Sequence, residues 1–144
     1  MSGNSNTATW YQPTVVAVPT IEFAIFQIGA VNFGLPISKI YRIIDSSNVN
    51  TTLDLPADIE SLDLHYQIFE TCSLNPISHV IINGEGQKLL SISVDTVPIL
   101  MTVPIDRIRL ISEELRSQSS LKIASHVAII FDGIEELTMF ILEI

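Results

Sequence analysis

The chain has 144 residues, of which 47% are hydrophobic and 16% are charged, and its formal net charge is −9. This length fits one compact domain or two very small units that share a core, and the low charged fraction excludes a disordered tail, a coiled coil and a solvated linker. Seven basic residues against sixteen acidic ones argue against a nucleic-acid-binding or anionic-membrane-binding face.

The uncharged runs of the sequence are too polar to cross a membrane. The longest, Met1 to Ile21, is interrupted by asparagine, glutamine and proline and lacks a basic start. A spanning helix needs about 18 or more apolar residues in succession, and no segment has them. We therefore expect a soluble, cytoplasmic protein, with a flexible N-terminal segment at 1–20 and a folded domain at 21–144.

The composition predicts a mostly β protein. Isoleucine, valine and threonine make up 43 of the 144 residues, and side chains branched at Cβ pack well on a pleated sheet. The apolar run Phe23 to Ile28 predicts a buried strand, and Gly29-Ala30 predicts a turn. The alternation from Val31 to Leu35 predicts a second strand.

After this hairpin the spacing of apolar residues changes. Ile37, Ile40, Tyr41 and Ile44 follow the i, i+3, i+4, i+7 pattern of a short amphipathic helix, with Pro36 near its first turn. Isoleucine and tyrosine also suit strands, so a strand stays open as the alternative for this segment.

The second part of the chain predicts further strands separated by turns. Pro98 and Pro104 place the segment between them at a sheet edge or a bulge, and Ser112 is a plausible N-cap for a short helix. The other predicted elements are a strand at Leu62–Leu64, a helical turn up to Phe69, strands at His79–Ile82 and Leu90–Val94 joined by a turn at Asn83–Gly86, and a final hairpin, Val127–Phe131 and Leu137–Leu142, around Asp132-Gly133.

The sequence also repeats itself at a spacing of 57 residues. A shift of 57 residues aligns eight positions of the first half with eight of the second: Phe23, Ile25, Gly29, Phe33, Leu35, Ile37, Ile40 and Ile43 with Val80, Ile82, Gly86, Leu90, Ile92, Val94, Val97 and Leu100. The shared pattern is a strand, a glycine turn, a second strand and then apolar residues at every third position. We infer two similar β units of about 60 residues that share a core and form a groove between them; a chance likeness between two apolar hairpins is the alternative.

The residues that carry chemistry do not assemble into a catalytic pattern. His65, Cys72 and His79 match no zinc-binding spacing, and Cys72, the only cysteine, is more typical of a small core residue than of a Cys/His dyad. We interpret His126 as a hydrogen-bonded packing residue and the glycine-rich turn near Gly84 as a hairpin turn. We therefore expect no enzyme activity, no metal and no cofactor.

Several segments, taken in order, resemble one known family. These segments are Phe23 to Ile40, the Leu62-Asp63-Leu64 element, Gly86 to Val97 with its Val94-Asp95 pair, and the hairpin around Asp132-Gly133. Over roughly residues 22–144 the chain is similar to the CheW-like domains of chemotaxis signalling adaptors. No single motif is diagnostic, but their order and the internal repeat together are specific.

The resemblance implies a fold and a function. The fold is all-β, with two intertwined five-stranded SH3-like barrels, short helices and a hydrophobic seam between the barrels. The function is that of a non-catalytic scaffold that links methyl-accepting chemoreceptors to the regulatory domain of a CheA-type histidine kinase, in chemotaxis, phototaxis or pilus-based motility. By position, Ile40 and Arg42 fall on the receptor-binding segment, and Val97 is the repeat counterpart of Ile40.

The chain also departs from the family pattern. Members carry a Val-Ile-Asn-Leu-Arg-Gly strand before the Leu62-Asp63-Leu64 position, and this strand has no equivalent here. We therefore expect a shortened first barrel. Two alternatives stay open: a degenerate member that acts as a decoy or couples a single partner, and a small enzyme that uses Cys72 or a histidine.

Overall fold

The computed structural model describes residues 17–45, 59–71, 76–117 and 123–143. Within these ranges the chain forms ten strands and two short α-helices. The strands are β1 (Thr20–Ile28), β2 (Val31–Pro36), β3 (Ile40–Asp45), β4 (Glu60–Leu62), β5 (Ser78–Asn83), β6 (Leu89–Val94), β7 (Ile99–Pro104), β8 (Ile108–Leu110), β9 (Ala124–Asp132) and β10 (Glu135–Leu142). The helices are α1 (Leu64–Phe69) and α2 (Glu113–Ser117), and 3-10 turns lie at Ile37–Lys39, Glu85–Gln87 and Ile105–Arg107.

The strands form two sheets. Sheet A has six strands in the order β7-β1-β2-β10-β9-β8, and sheet B has four in the order β3-β5-β6-β4. Neighbouring strands run antiparallel except for two parallel pairs, β2 with β10 in sheet A and β4 with β6 in sheet B. Each parallel pair joins strands that lie far apart in the sequence, as parallel pairing requires.

The two halves of the chain exchange strands between the sheets. The first half supplies the β1–β2 hairpin to sheet A and β3 and β4 to sheet B, whereas the second half supplies β5 and β6 to sheet B and β7 to β10 to sheet A. Neither sheet is complete without both halves. The predicted all-β fold of two intertwined units is confirmed, and the strands within the described ranges divide six and four between the two sheets.

The main hydrophobic core lies between the two sheets. Sheet A contributes Phe26, Ile28, Phe33, Leu35 and Leu142; sheet B contributes Val80, Ile82, Ile92 and Val94; and α1 adds Leu64 and Ile68. A second core, which includes Phe23, Ile25, Val103 and Met139, is built from sheet A alone. Since each strand alternates its side chains between two faces, sheet A packs one face on the central core and curls the other around its own core.

The helix predicted over 36–44 is wrong. Pro36 is extended, with φ −56° and ψ 138°, and Ile37–Lys39 forms a 3-10 turn in which the Ile40 amide donates to the Ile37 carbonyl oxygen. The chain then continues as β3. The spacing of three between Ile37 and Ile40 reflects this single i→i+3 turn, and the strand alternative is correct for the residues that follow.

Other predicted elements are present with small shifts. The helical turn up to Phe69 is α1, capped by the Asp63 carboxylate, which accepts from the Tyr66 amide at 2.9 Å. Ser112 caps α2 through a 3.3 Å hydrogen bond from the Leu115 amide, and β7, which ends at Pro104, is an edge strand. The predicted flexible segment at 1–20 is described only from residue 17, and β1 already begins at Thr20.

The two hairpins predicted from the repeat are both present, but their turns differ. Gly29-Ala30 links β1 and β2 directly, whereas five residues, 84–88, separate β5 from β6. Phe23 faces Pro36 across the first hairpin, and its repeat counterpart Val80 faces Ile92 across the second. The longer turn therefore moves the second strand of the repeat by one position. The shortened first barrel remains a prediction, because 46–58 lie outside the described residues.

Candidate functional site

The edges of the two sheets are the places where another chain can add contacts. Among the described residues, sheet A ends in β7 and β8, and sheet B ends in β3 and β4. The edge strands β4 and β8 have three residues each, whereas β3 and β7 have six each. Short edge strands are one way in which proteins avoid unwanted pairing, so β3 and β7 are the two candidate interaction edges.

The β3 edge carries apolar side chains around a single cation. Tyr41 is 47% exposed and Ile43 is 38% exposed. The Arg42 guanidinium lies 5.9 Å from the centre of the Tyr41 ring, a distance at which a cation is attracted to the ring face. The pairing with β5 shifts by one residue between Ile40 and Arg42, so a bulge at this point breaks the regular edge.

The β7 edge carries exposed apolar side chains and no charge. Val97 lies before the strand and is 61% exposed, and Ile99 and Leu100 within it are 52% and 65% exposed. Residues 97–105 contain no charged side chain. Large apolar side chains that cluster on a surface in this way mark interaction sites in soluble proteins.

The three residues predicted for partner binding lie on these two edges. Ile40 and Arg42 are in β3, and Val97 lies two residues before β7. Arg42 and Val97 are exposed, but Ile40 is half-buried and packs against the central core. The structure therefore gives Ile40 a packing role that the sequence-based prediction did not include.

Two further exposed residues of these edges were not predicted. Ile43 faces Val80 across the β3–β5 pair, and Leu100 faces Ala24 across the β7–β1 pair. Directly opposed residues share a sheet face. Val80 belongs to the central core, and Ala24 lies on the same face of β1 as Phe26, which also belongs to that core. Ile43 and Leu100 therefore lie on the core-facing sides of their sheets, at the edges. The signal was present in the sequence, because Ile43 and Leu100 are counterparts in the 57-residue repeat.

A polar junction links the two halves at the end of the β1–β2 hairpin. The Asp95 carboxylate, just after β6, accepts from the Gly29 amide at 2.6 Å, and the Thr96 hydroxyl accepts from the Gln27 amide at 2.8 Å. His65 of α1 lies with Nε2 4.0 Å from Asp95 Oδ2. These contacts fasten the first hairpin to the start of the β6–β7 connection.

The histidines of the described ranges have the surroundings of structural residues. His65 Nδ1 lies against the carbonyl oxygen of Thr71; a carbonyl oxygen only accepts, so this nitrogen carries the hydrogen. His79 Nδ1 is 3.3 Å from the Ser93 hydroxyl, and His126 Nδ1 is 2.7 Å from the Ser125 hydroxyl, in keeping with the predicted packing role of His126. Cys72 lies outside the described residues.

The described part of the chain holds neither a metal-binding cluster nor a membrane-spanning helix. No group of three or more His, Cys, Asp or Glu side chains there has the geometry to hold a metal ion. In those same ranges, no helix is both long and apolar enough to cross a membrane. An apolar cleft of about 450 Å³ lies between α2 and sheet A and is lined by Leu110, Leu115, Val127 and Phe140.

The chain is similar in fold, but not in sequence, to a known protein. No protein-family model matches the chain, and no curated protein matches its sequence. The crystal structure of the scaffolding protein TtCheW from Thermoanaerobacter tengcongensis is similar in fold, with a TM-score of 0.64 and 12% sequence identity, over 90% of this chain and 88% of that chain. The chain has a CheW-type fold. At this identity the likeness concerns the fold, and function has to be argued from surfaces.

Proposed function

We propose that this chain is a non-catalytic signalling adaptor that couples chemoreceptors to a CheA-type histidine kinase in a chemotaxis, phototaxis or pilus-motility system. The observation that supports it most is the likeness of fold to a scaffolding protein over 90% of the chain.

The receptor-binding surface in this proposal consists of the β3 and β7 edges. Ile43 and Leu100 provide exposed apolar contacts next to the central core, and Arg42 provides the charge. Apolar contacts supply most of the affinity of such surfaces, and charges supply specificity and association rate. The net charge of −9 favours partners that do not present a strongly acidic face to it.

The test uses the full chain with the purified cytoplasmic fragment of a methyl-accepting chemoreceptor and the kinase regulatory domain from the same organism. We expect each to bind the adaptor in sedimentation experiments. Ile43→Glu, which places a charge on the 38% exposed edge position, should weaken receptor binding by about tenfold or more. Failure to bind both partners would overturn the proposal.

A matched variant separates this effect from general damage. Ile129 is 45% exposed and lies on β9, an inner strand of sheet A. Ile129→Glu therefore places the same charge at a similar exposure, and it should leave receptor affinity unchanged. Ile40 is unsuitable for this purpose, because it packs against the central core and a charge there would also destabilise the fold.

A second candidate is an adaptor that couples one partner only or acts as a decoy. The smaller size of sheet B supports this candidate: sheet B has four described strands against six in sheet A, and its edge strand β4 has three residues. An autophosphorylation assay distinguishes the two. A coupling adaptor raises receptor-stimulated kinase activity when it is added, whereas a decoy lowers it in competition with a functional adaptor.

A further inference from the structure

The side chains on one face of β9 become more exposed toward the turn of the last hairpin. Val127, Ile129 and Phe131 alternate along the strand with Ala128 and Ile130, which are buried in the second core, so the three share the opposite face. Val127 is half-buried, whereas Ile129 is 45% exposed and Phe131 is 55% exposed. Two large apolar side chains therefore lie partly exposed on an inner strand of sheet A.

Two arginines lie beside these apolar side chains. Arg109 faces Val127 across the β8–β9 pair, and directly opposed residues share a sheet face. Arg107 ends the 3-10 turn before β8, and its Cζ atom lies 5.4 Å from the centre of the Phe131 ring, where a cation is attracted to the ring face. We call Arg107, Arg109, Ile129 and Phe131 the β8–β9 face. Arginine and phenylalanine are both enriched at protein interfaces.

The two arginines have no acidic partner among the described residues. The ion pairs within the described ranges involve other side chains. Arg109 Nη1 donates to the carbonyl oxygens of Asp106 at 2.6 Å and Ile108 at 3.2 Å, which fixes this side chain. A guanidinium has five N–H donors, so donors remain for an anionic group. In a chain with sixteen acidic and seven basic residues, two neighbouring arginines without a described carboxylate favour an acidic group from a partner.

The charges around this face are divided between its two sides. The arginines lie on the β8 side, whereas the exposed Glu136 of β10 faces Phe131 from the other side. A partner segment with carboxylates along its whole length would bring one of them toward Glu136. The complementary segment has its carboxylates at the β8 side and apolar side chains over β9.

We propose that the β8–β9 face binds an acidic segment of a partner protein, with its carboxylates beside Arg107 and Arg109 and its apolar side chains on Ile129 and Phe131. An arginine can hold a carboxylate through two parallel hydrogen bonds. The contact with the Phe131 ring and the bonds of Arg109 to the backbone order both guanidinium groups before binding, which lowers the entropic cost of association. This inference uses no residue assigned to the receptor and does not depend on the proposed function.

The first test uses a synthetic amphipathic peptide with glutamates on one face and leucines on the other. A matched peptide has glutamine in place of glutamate. In fluorescence anisotropy at low ionic strength, the full chain should bind the acidic peptide about tenfold or more tightly than the neutral one. The difference should shrink as salt is added. Absence of binding, or equal binding of the two peptides, would overturn the proposal.

The second test locates the binding with two matched charge reversals. Arg107 and Arg42 each lie over an aromatic ring, and glutamate at either position changes the net charge of the chain by the same amount. Arg107→Glu should weaken binding of the acidic peptide by about tenfold or more, whereas Arg42→Glu should weaken it by about twofold or less. Both side chains are exposed, so both variants should unfold at the same denaturant concentration as the parent. Equal losses of affinity would show a general attraction to the chain and contradict the assigned site.

A third measurement tests the apolar half of the face and a second copy of the chain as its occupant. Phe131→Ala should weaken binding of the acidic peptide by about fivefold or more, and unchanged affinity would contradict the apolar contact. In sedimentation equilibrium without peptide, Arg107→Glu should leave the association state of the chain unchanged. Self-association that this variant abolishes would mean that a second copy covers the face, and the proposed partner would be wrong.

Discussion

The turns of the two repeated hairpins differ in length, but each contains a glycine with positive φ, and these two glycines have different surroundings. Gly29 in the first turn has φ +63°, and Gly86 in the second has φ +65°. A Cβ atom on Gly29 would lie 2.6 Å from Cε2 of Phe69, whereas one on Gly86 would have nothing within 4 Å. The Asp95 carboxylate also holds the Gly29 amide, so the first turn is enclosed where the second is open.

This difference shows where the two halves of the chain are joined. Phe69 belongs to α1 of the first half, and Asp95 follows β6 of the second half, so the first turn is held from both sides. The second turn connects β5 and β6, and its Lys88 contacts the first half only through an exposed ion pair with Glu60, at 3.5 Å. We therefore expect the first turn to contribute more to the stability of the fold than the second, although the two hairpins are similar in sequence. The first turn is a joint between the halves, and the second is a surface loop.

The largest expected effect comes from Gly29→Ala. The left-handed backbone costs a non-glycine residue about 1–2 kcal/mol, and the overlap with the Phe69 ring adds about 1–3 kcal/mol. The reduced entropy of the unfolded chain offsets about 0.4–1 kcal/mol of this, so we expect the free energy of unfolding to fall by about 2–4 kcal/mol, measured by chemical denaturation. Adding Phe69→Ala should make the Gly29→Ala step less costly. If the cost is the same with and without Phe69, the ring does not enclose this turn.

The Asp95 carboxylate is the next point at which the joint can be broken. Asp95→Ala leaves the part-buried Gly29 amide without this acceptor, and hydrogen bonds to charged groups contribute about 1.5–3 kcal/mol. We expect a loss of about 2 kcal/mol in denaturation experiments. Asp95→Asn keeps an acceptor oxygen and should retain part of the stability. Equal losses for both variants would show that the charge, and not the hydrogen bond to Gly29, stabilises the joint.

A smaller effect is expected at Thr96, which holds the strand next to the turn. Its hydroxyl accepts from the part-buried Gln27 amide at 2.8 Å, and valine has the same shape without the acceptor. Thr96→Val should lower the free energy of unfolding by about 1 kcal/mol. Thr96→Ser, which keeps the hydroxyl, is the control. An unchanged stability in the valine variant would mean that water replaces the hydroxyl and that the joint is confined to Asp95.

The hairpins could be predicted from sequence because local patterns determine them. Alternating apolar residues and a glycine with positive φ mark a strand, a turn and a second strand at both positions. The helix predicted at 36–44 is wrong because the segment is a single 3-10 turn followed by a strand. The 3-10 turn spaces Ile37 and Ile40 three residues apart, and a helix would give the same spacing. Periodicity over so short a window does not separate the two.

The candidate site was predictable only in part, for a related reason. The repeat indicated that positions 40 and 43 have counterparts at 97 and 100, but which of them are exposed depends on strand order. Ile40 is half-buried because it packs against the central core, whereas its counterpart Val97 lies two residues before the edge strand β7 and is 61% exposed. Edge positions arise from pairing between distant strands, and no local pattern encodes them.

The smallest effect is expected at the open turn, and it sharpens the comparison most. Gly86→Ala adds the same methyl group at nearly the same φ as Gly29→Ala, but nothing lies within 4 Å of it. The backbone strain of about 1–2 kcal/mol is partly offset by the reduced entropy of the unfolded chain, about 0.4–1 kcal/mol. We expect a net loss of about 0.5–1 kcal/mol. Gly86→Asn should cost less still, because asparagine tolerates the left-handed region. A loss of stability in Gly86→Ala equal to that in Gly29→Ala would mean that backbone strain alone sets both values. The first turn would then not be a joint between the halves.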